Sequence, residues 1–190
     1  MNQQYTERKT FNKIDFSKKP LPKGEYEKCS FLNCDFSNAN LSEIKFVDCT
    51  FENCNLSNTA LSQTTLRDAV FTNSKMLGLR FDQCNQFGLS FSFDNCILSH
   101  STFYKTKLKQ TIFKNTKLHE VDFTECDLSG SMFENCDMMN AKFDHTNIEK
   151  TDFRTAFNYS IDPAINKIKK AKFSLSGVAG LLDTYDIEID

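Results

Sequence analysis

The sequence predicts an all-β fold, an elongated solenoid with a packed interior, and two periodic features carry this prediction. Large apolar residues recur at every fifth position: Tyr26, Phe31, Phe36, Leu41, Phe46, Phe51, Leu56, Leu61, Leu66, Phe71, Met76 and Phe81, then Leu98, Phe103, Leu108, Phe113, Leu118, Phe123, Leu128, Phe133, Met138, Phe143, Ile148 and Phe153. A small residue stands two positions before most of them. A period of five fits neither an α-helix nor the simple alternation of a strand, so it indicates short extended units, each ending in a corner.

The two restricted positions define the inside of the solenoid. Residues two apart in an extended segment point the same way, so each unit directs one large and one small side chain inward. The other three positions are rich in Asn, Asp, Ser and Lys, which suit turns and solvent. We expect a core ladder that includes Phe31, Phe51, Phe71, Phe91, Phe103, Phe113, Phe123, Phe133, Phe143 and Phe153.

The repeated unit resembles that of the pentapeptide-repeat family, written A(D/N)LXX. Matching units are Cys34-Asp35-Phe36, Ala39-Asn40-Leu41, Cys126-Asp127-Leu128 and Cys136-Asp137-Met138. The resemblance covers about residues 11–155. It implies a right-handed quadrilateral parallel β-helix with four units per coil, and about seven coils would make a rod near 35 Å long.

Two places depart from the period in the predicted β-helix domain, residues 1–155. An irregular entry coil is expected near 11–25, after a loose tail, because Pro20 and Pro22 interrupt the pattern. The register also shifts by two residues near 86–96, and we place the extra pair at or beside Asp94–Asn95, since Phe91 keeps the first register. This break is either a bulge that the coil tolerates or a projecting feature that contacts a partner.

Residues 156–190 lose the period and are predicted to form a C-terminal cap and dimerisation segment. Ser174 or Ser176 is a candidate N-cap for a short helix, and residues 185–189 alternate like a strand. The end of a solenoid must be covered, since a bare core and an open edge invite aggregation. The residues expected to make the dimer contact are Leu181, Leu182, Ile187 and Ile189.

Composition and motifs argue against an enzyme. The 190 residues contain no run of 18 apolar residues and no apolar core of a signal peptide, so we expect a cytoplasmic protein that does not bind a membrane. All eight cysteines fall on inward positions, which favours core filling over zinc or disulfides. His100, His119 and His145 fall on outward positions, and no phosphate-binding loop or catalytic motif is present. We therefore expect no catalytic residue, cofactor or metal.

The remaining class is a binding protein, and the resemblance implies a candidate partner. The Qnr-type fluoroquinolone-resistance members of the family act on DNA gyrase and topoisomerase IV as rods that resemble duplex DNA. The resemblance thus implies a non-catalytic, homodimeric DNA mimic that binds a type II topoisomerase and lowers quinolone susceptibility. The alternative is an interaction or scaffold protein with a different partner. Assigning units to four sides yields no continuous acidic stripe, and direct nucleic-acid binding is not expected because tryptophan is absent and tyrosines are few.

Overall fold

In a computed structural model that describes residues 4–185 and 187–188, the chain winds into a four-sided solenoid of short parallel strands. The strands are β1 (Gln4–Glu7), β2 (Thr10–Asn12), β3 (Gly24–Glu27), β4 (Ser30–Leu32), β5 (Lys45–Val47), β6 (Thr50–Glu52), β7 (Thr65–Arg67), β8 (Ala69–Thr72), β9 (Phe91–Asp94), β10 (Ile112–Lys114) and β11 (Met132–Glu134). A four-stranded sheet has the order β1-β3-β5-β7, and a seven-stranded sheet has the order β11-β10-β9-β8-β6-β4-β2.

The four sides are numbered in chain order. Face 1 holds the inward residues Tyr26, Phe46, Leu66, Leu108, Leu128 and Ile148, and face 2 holds Phe31, Phe51, Phe71, Phe93, Phe113, Phe133 and Phe153. Face 3 holds Phe36, Leu56, Met76, Leu98, Leu118 and Met138, and face 4 holds Leu41, Leu61, Phe81, Phe103, Phe123 and Phe143. On faces 3 and 4, and on the part of face 1 that follows β7 in the chain, isolated parallel bridges join neighbouring coils instead of continuous strands.

Aromatic ladders fill the axis. On face 2 the rings of Phe113 and Phe133 stack with centroids 4.7 Å apart and planes 8° apart. Phe123 on face 4 meets Phe113 edge-on at 6.0 Å and 85°. Both arrangements are favourable for aromatic rings and add to the free energy of burying them. Every phenylalanine that the sequence places in the ladder is buried: Phe31, Phe51, Phe71, Phe91, Phe103, Phe113, Phe123, Phe133, Phe143 and Phe153.

The small inward position also satisfies the backbone. The hydroxyl of Thr146 donates to the carbonyl oxygen of Phe123 in the coil below at 2.8 Å. The thiol of Cys49 makes the equivalent contact with the carbonyl oxygen of Tyr26 at 3.2 Å. Because a buried polar group without a partner is costly, a small residue with a donor suits this position. This explains why Thr, Ser and Cys recur there.

Most corners are made by a residue with positive φ, usually two positions after the large one. The corner between faces 2 and 3 is an asparagine ladder: Asn33, Asn53, Asn73, Asn95, Asn115 and Asn135. Asparagine tolerates the left-handed conformation better than most residues. Its amides also link neighbouring coils, since Asn95 Nδ2 donates to Asn73 Oδ1 at 2.7 Å.

The N-terminal end is more regular than expected. The first coil begins at Gln4, because β1 pairs with β3 and β2 pairs with β4, where we expected a loose tail and an irregular coil. Leu21, between two prolines, is buried in the inward position. The pairing depends on Gly24, where an added Cβ would overlap the carbonyl oxygen of Gln4. Backbone pairing thus extends the solenoid where the side-chain pattern is weak.

The register break lies before the pair Asp94–Asn95 and not at it. Phe93 pairs with Phe71, so the ladder is regular again from Phe93 onward. Phe91 pairs with Ala69 and therefore takes the small inward position. It is buried as expected, but it does not belong to the ladder of large residues. Phe91 and Phe93 both fit an inward position, which is why the sequence analysis placed the register break too late in the chain.

The solenoid also continues past residue 155, where we expected it to end. Lys172 pairs with Asp152, and the ring of Phe173 stacks on Phe153 with centroids 5.3 Å apart and planes 3° apart. The chain leaves the regular path at Asn158, whose positive φ comes two positions early, and rejoins it near residue 166. A partial last coil therefore lies between the regular coils and the cap.

The cap is helical in a tighter form than expected. It consists of two 3-10 turns, Val178–Leu181 and Asp183–Tyr185. Before the first turn, the Ser174 hydroxyl accepts a hydrogen bond from the Gly177 N–H at 3.1 Å. Of the two candidate serines, Ser174 is thus the one that contacts the start of the turn.

The strand expected over 185–189 is not formed in its described part. The Tyr185 N–H donates to the carbonyl oxygen of Leu182 at 2.9 Å, which continues the helical turn in place of an extended strand. Ile187 and Glu188 are irregular, and Ile189 lies outside the described residues. Short-range turn bonds have therefore prevailed over the alternating pattern.

Candidate interaction surfaces

Many titratable side chains on the surface form pairs that link coils or close local turns. His119 Nε2 lies 2.7 Å from Asp137 Oδ2, and His100 Nδ1 lies 3.2 Å from Glu120 Oε2. Burial opposes ionisation of Asp137, but hydrogen bonds from His119 and Asn158 outweigh it and hold the pKa of that carboxyl below its usual value. These contacts hold neighbouring coils together and do not assemble an acid–base pair in a cleft.

The eight cysteines are free thiols, and all are buried. Burial raises the pKa of Cys54 and Cys126 to about 12, which keeps both as neutral thiols at physiological pH. The part of the chain that the structure describes holds no cluster of three or more His, Cys, Asp or Glu side chains that could bind a metal. The inward cysteines therefore act as packing residues and weak hydrogen-bond donors.

Charges on the sides of the rod are mixed. Face 2 carries the acidic residues Glu52, Asp94, Glu134 and Asp152 together with the basic residues Lys114 and Arg154. Several opposite charges stand above one another in adjacent coils, as Lys114 and Glu134 do at 3.2 Å and Lys105 and Glu125 at 3.4 Å. Over the described coils, no face presents a continuous acidic stripe.

The C-terminal end gathers exposed apolar side chains. Leu175 is 93% exposed and Ile187 is 56% exposed, and Val178 and Ile165 are also exposed. Of the residues expected to make a dimer contact, Leu181 is partly buried and packs on the core. Leu182 is half-buried, and Ile189 lies outside the described residues. The free apolar surface is thus formed by Leu175, Val178 and Ile187 more than by Leu181.

A groove of about 500 Å³ runs between this cap and face 3. Exposed Met139 and Phe157 line one side, and Ser174 and Gly177 line the other. Tyr159 forms its floor, buried beside Phe173 with ring centroids 5.8 Å apart. The Tyr159 hydroxyl is the one buried side-chain polar atom among the described residues without a hydrogen-bond partner.

Two further apolar surfaces were not anticipated as sites. Val70, Ile112 and Met132 are exposed in one outward column of face 2, where other coils carry Thr, Ser or Asp. Phe87, at the register break, is 78% exposed. The sequence did contain a signal for Phe87, since it fits neither the register before the break nor the one after it.

No helix in the described ranges is long and apolar enough to cross a membrane.

Comparisons with known proteins agree with the observed fold. The family model described as pentapeptide repeat region matches residues 24–92 and 89–157. Full-length QnrB1, a plasmid-mediated fluoroquinolone resistance protein, has a similar solved structure, with a TM-score of 0.58, 16% sequence identity, and coverage of 97% of this chain and 100% of that one. A trypsin-treated form of QnrB1 has a TM-score of 0.57 and 17% identity over 99% of each chain. No curated protein has significant sequence similarity to this chain.

At these identities the solved structures establish a shared fold, and the family model adds a match in sequence over residues 24–157. The matched stretch spans the regular coils on both sides of the register break. Its five-residue unit is the one that places one large and one small side chain inside each side of the rod. The chain therefore belongs to the pentapeptide-repeat family.

Proposed function

We propose that this chain is a non-catalytic interaction rod that works as a homodimer joined through its C-terminal caps. The observation that carries the proposal is the distribution of exposed apolar side chains. Most outward positions of the coils are polar or ion-paired, whereas Leu175, Val178 and Ile187 crowd into the cap. The eight free thiols suit a reducing compartment such as the cytoplasm.

The dimer rests on the cap as a self-complementary surface. Two-fold pairs close on themselves, so one apolar patch can be covered by its own copy. Two rods joined end to end would be about 70–80 Å long, from the spacing of the coils. We expect light scattering to give a dimer at micromolar concentration, and a version ending at Asp183 or a Leu175→Asp variant to give a monomer.

Two outcomes of that experiment count against the dimer. If the full chain runs as a monomer, Leu175 and Ile187 are a surface for some other protein. If the Leu175→Asp variant stays a dimer, the two copies meet elsewhere. Asp82→Ala, on face 4 far from the cap, is the matched control and should leave the mass unchanged.

A type II topoisomerase is the partner that we propose first, because the fold extends over the full length of a fluoroquinolone resistance protein. The test is a gyrase supercoiling assay with a quinolone, with and without this protein. Protection by a stoichiometric amount supports the proposal. No protection, combined with no binding of gyrase to the immobilised rod, contradicts it.

One observation favours the alternative, an interaction rod with a different partner. Mimicry of duplex DNA needs a dense row of negative charge, about one charge per 1.7 Å of helix axis. Here Lys114 and Lys105 neutralise the acidic residues stacked beside them. Binding through shape and local apolar contacts therefore fits this surface better than mimicry by charge.

A further inference from the structure

The register break on face 1 presents an ordered aromatic side chain. Its unit runs from residue 84 to 90, seven residues where other units have five. Gln86 Nε2 donates to the carbonyl oxygen of Cys84 at 2.9 Å, and the Phe87 N–H donates to Asn85 Oδ1 at 3.0 Å. Phe87 is therefore held out to solvent by a loop with fixed hydrogen bonds and is not the tip of a loose insertion.

Beside this loop, the break opens a groove of about 310 Å³ at the corner of faces 1 and 2. Val70 and Leu89 provide apolar walls, and Lys109 and Gln110 lie in the coil above. Exposed Ile112 stands in the same outward column as Val70, two coils further along. Phe87 does not line the groove itself, but it stands two residues before Leu89, so the exposed ring and an apolar wall of the groove belong to the same seven-residue unit.

One of the backbone hydrogen bonds that join neighbouring coils on face 1 is missing at this surface. In other coils the outward residue donates its N–H to the coil below, as Asp127 does to Thr106 at 2.9 Å. The equivalent acceptor for Lys107 is the carbonyl oxygen of Cys84, which here accepts a hydrogen bond from the Gln86 side-chain amide. Within the described chain, the Lys107 N–H has no backbone acceptor. An extended peptide could accept this hydrogen bond from outside.

The charge around the break is basic. Among the described residues, neither Arg67 nor Lys107 forms an ion pair, unlike Lys105 and Lys114 in neighbouring coils. Asp68 is the one acidic residue among the described residues that line the groove, and its carboxylate stays charged while it accepts a hydrogen bond from the Ser90 hydroxyl at 3.0 Å. Lys109 also lines the groove and pairs with Asp127 at 3.3 Å, so Arg67 and Lys107 together outweigh Asp68 and leave the surface net positive. This net positive charge beside an exposed aromatic ring complements an acidic partner that carries an apolar side chain.

We infer that the surface formed by Phe87, Leu89, Val70, Arg67 and Lys107 binds an acidic polypeptide segment in an extended conformation. An apolar side chain of the segment enters the groove against Leu89 and Val70, and its carboxylates face Arg67 and Lys107. Phe87 is the anchor, because large aromatic side chains carry much of the energy of such contacts. This inference rests on the proposal that the rod is a binding protein, and it specifies one site and the chemistry of its ligand.

The experiment is a selection from a random twelve-residue peptide display library against the full chain. We expect the selected peptides to be enriched in Asp and Glu around an apolar residue. Fluorescence anisotropy should then show about tenfold weaker binding to Phe87→Ala, and weaker binding still to the Arg67→Glu/Lys107→Glu double variant. Tyr104→Ala, which removes an exposed aromatic residue from face 4, is the matched control and should bind as the wild type does.

Several outcomes would overturn this site. They are selection of no peptide, selection of neutral or basic peptides, or unchanged binding to Phe87→Ala when circular dichroism shows that the variant is folded. A labelled single-stranded oligonucleotide is tested in parallel, since base stacking on Phe87 is the competing explanation. If it binds in a Phe87-dependent way and the acidic peptides do not, the inference is wrong. Protection of gyrase in the same preparations would show that the proposed function stands without this site.

Discussion

The coils and the cap solve the same packing problem in different ways. In the coils, Phe103, Phe113 and Phe123 are fully enclosed, and each is stacked on an equivalent ring above and below. In the cap, Leu175 and Ile187 face solvent, and Tyr159 packs beside the last two rings of face 2, Phe153 and Phe173. The coils repeat the same ring-on-ring packing at every level, whereas the cap is formed by contacts that have no equivalent elsewhere in the chain.

This difference determines where stability and function reside. A residue in a ladder is held by the coil on each side, so removing it leaves a void that neither neighbour can fill. The cap is held by few bonds, among them the Ile161 N–H to the carbonyl oxygen of Gly180 at 2.8 Å. Local opening should therefore begin at the cap, and the coils should unfold as a cooperative unit.

The largest expected effect is in the coils. Phe123→Ala removes a fully buried ring that contacts Phe103 and Phe143, each with a centroid separation of 5.3 Å. We expect a loss of about 3–5 kcal/mol in the free energy of unfolding, because the stacked rings cannot close the cavity. Denaturant titration of the wild type and the variant measures it.

The control for that change lies on the corner of the same face. Lys105→Ala removes an exposed side chain whose contacts are an ion pair with Glu125 at 3.4 Å and a cation–π contact with Tyr104. Exposed pairs of this kind contribute little, so the shift should stay within about 0.5 kcal/mol. Equal shifts for the two variants would mean that Phe123 does not belong to the core ladder.

The coils were predictable from the sequence because each five-residue unit carries its own large and small inward residues. A five-residue period places Phe113 and Phe133 on one face without reference to the rest of the chain. The break was located less well, because both Phe91 and Phe93 fit an inward position and only backbone pairing distinguishes them. At the start of the chain, the useful signal was a small residue, Gly24, and not an apolar one.

The cap could not be derived in this way, since it has no repeat. Tyr159 lies against the first 3-10 turn because the chain leaves the regular path at Asn158, and the sequence offers no spacing rule for that departure. The alternation at residues 185–189 indicated a strand, yet the Tyr185 N–H bonds within a turn. The candidate surfaces are equally hard to predict. Phe87 and Leu175 are exposed because they lie where the five-residue period is interrupted, and the period does not say which side chains face solvent there.

The second expected effect is smaller and confined to the cap. A Cβ on Gly180 would overlap the carbonyl oxygen of Tyr159 and lie 3.1 Å from its ring, so Gly180→Ala should displace the turn. We expect a local cost of about 1–3 kcal/mol, as for other overpacked sites. Hydrogen exchange should show faster opening after residue 158 and unchanged protection of the coils. Ala179→Ser, one residue away and exposed, is the control. If protection falls along the whole rod, coils and cap are one cooperative unit.

The smallest expected effect concerns a single corner of the asparagine ladder. Asn115 has φ of 48°, its amide nitrogen donates to Asp94 Oδ1 at 3.0 Å, and its amide oxygen accepts from Asn135 Nδ2 at 3.3 Å. Asn115→Val places a β-branched side chain in the left-handed region and loses both bonds, which should cost about 1–2 kcal/mol. Asn115→Gly loses the same bonds but keeps the backbone angle, so it should cost distinctly less. Thermal or denaturant unfolding of the two variants separates the backbone contribution from the side-chain one. If glycine is as destabilising as valine, the hydrogen-bonded amides hold the corner; if valine alone is destabilising, the left-handed backbone excludes β-branched side chains there. The second result is the one we expect, because lysine, glutamate and histidine, none of them β-branched, occupy equivalent corners on the other faces with the same positive φ.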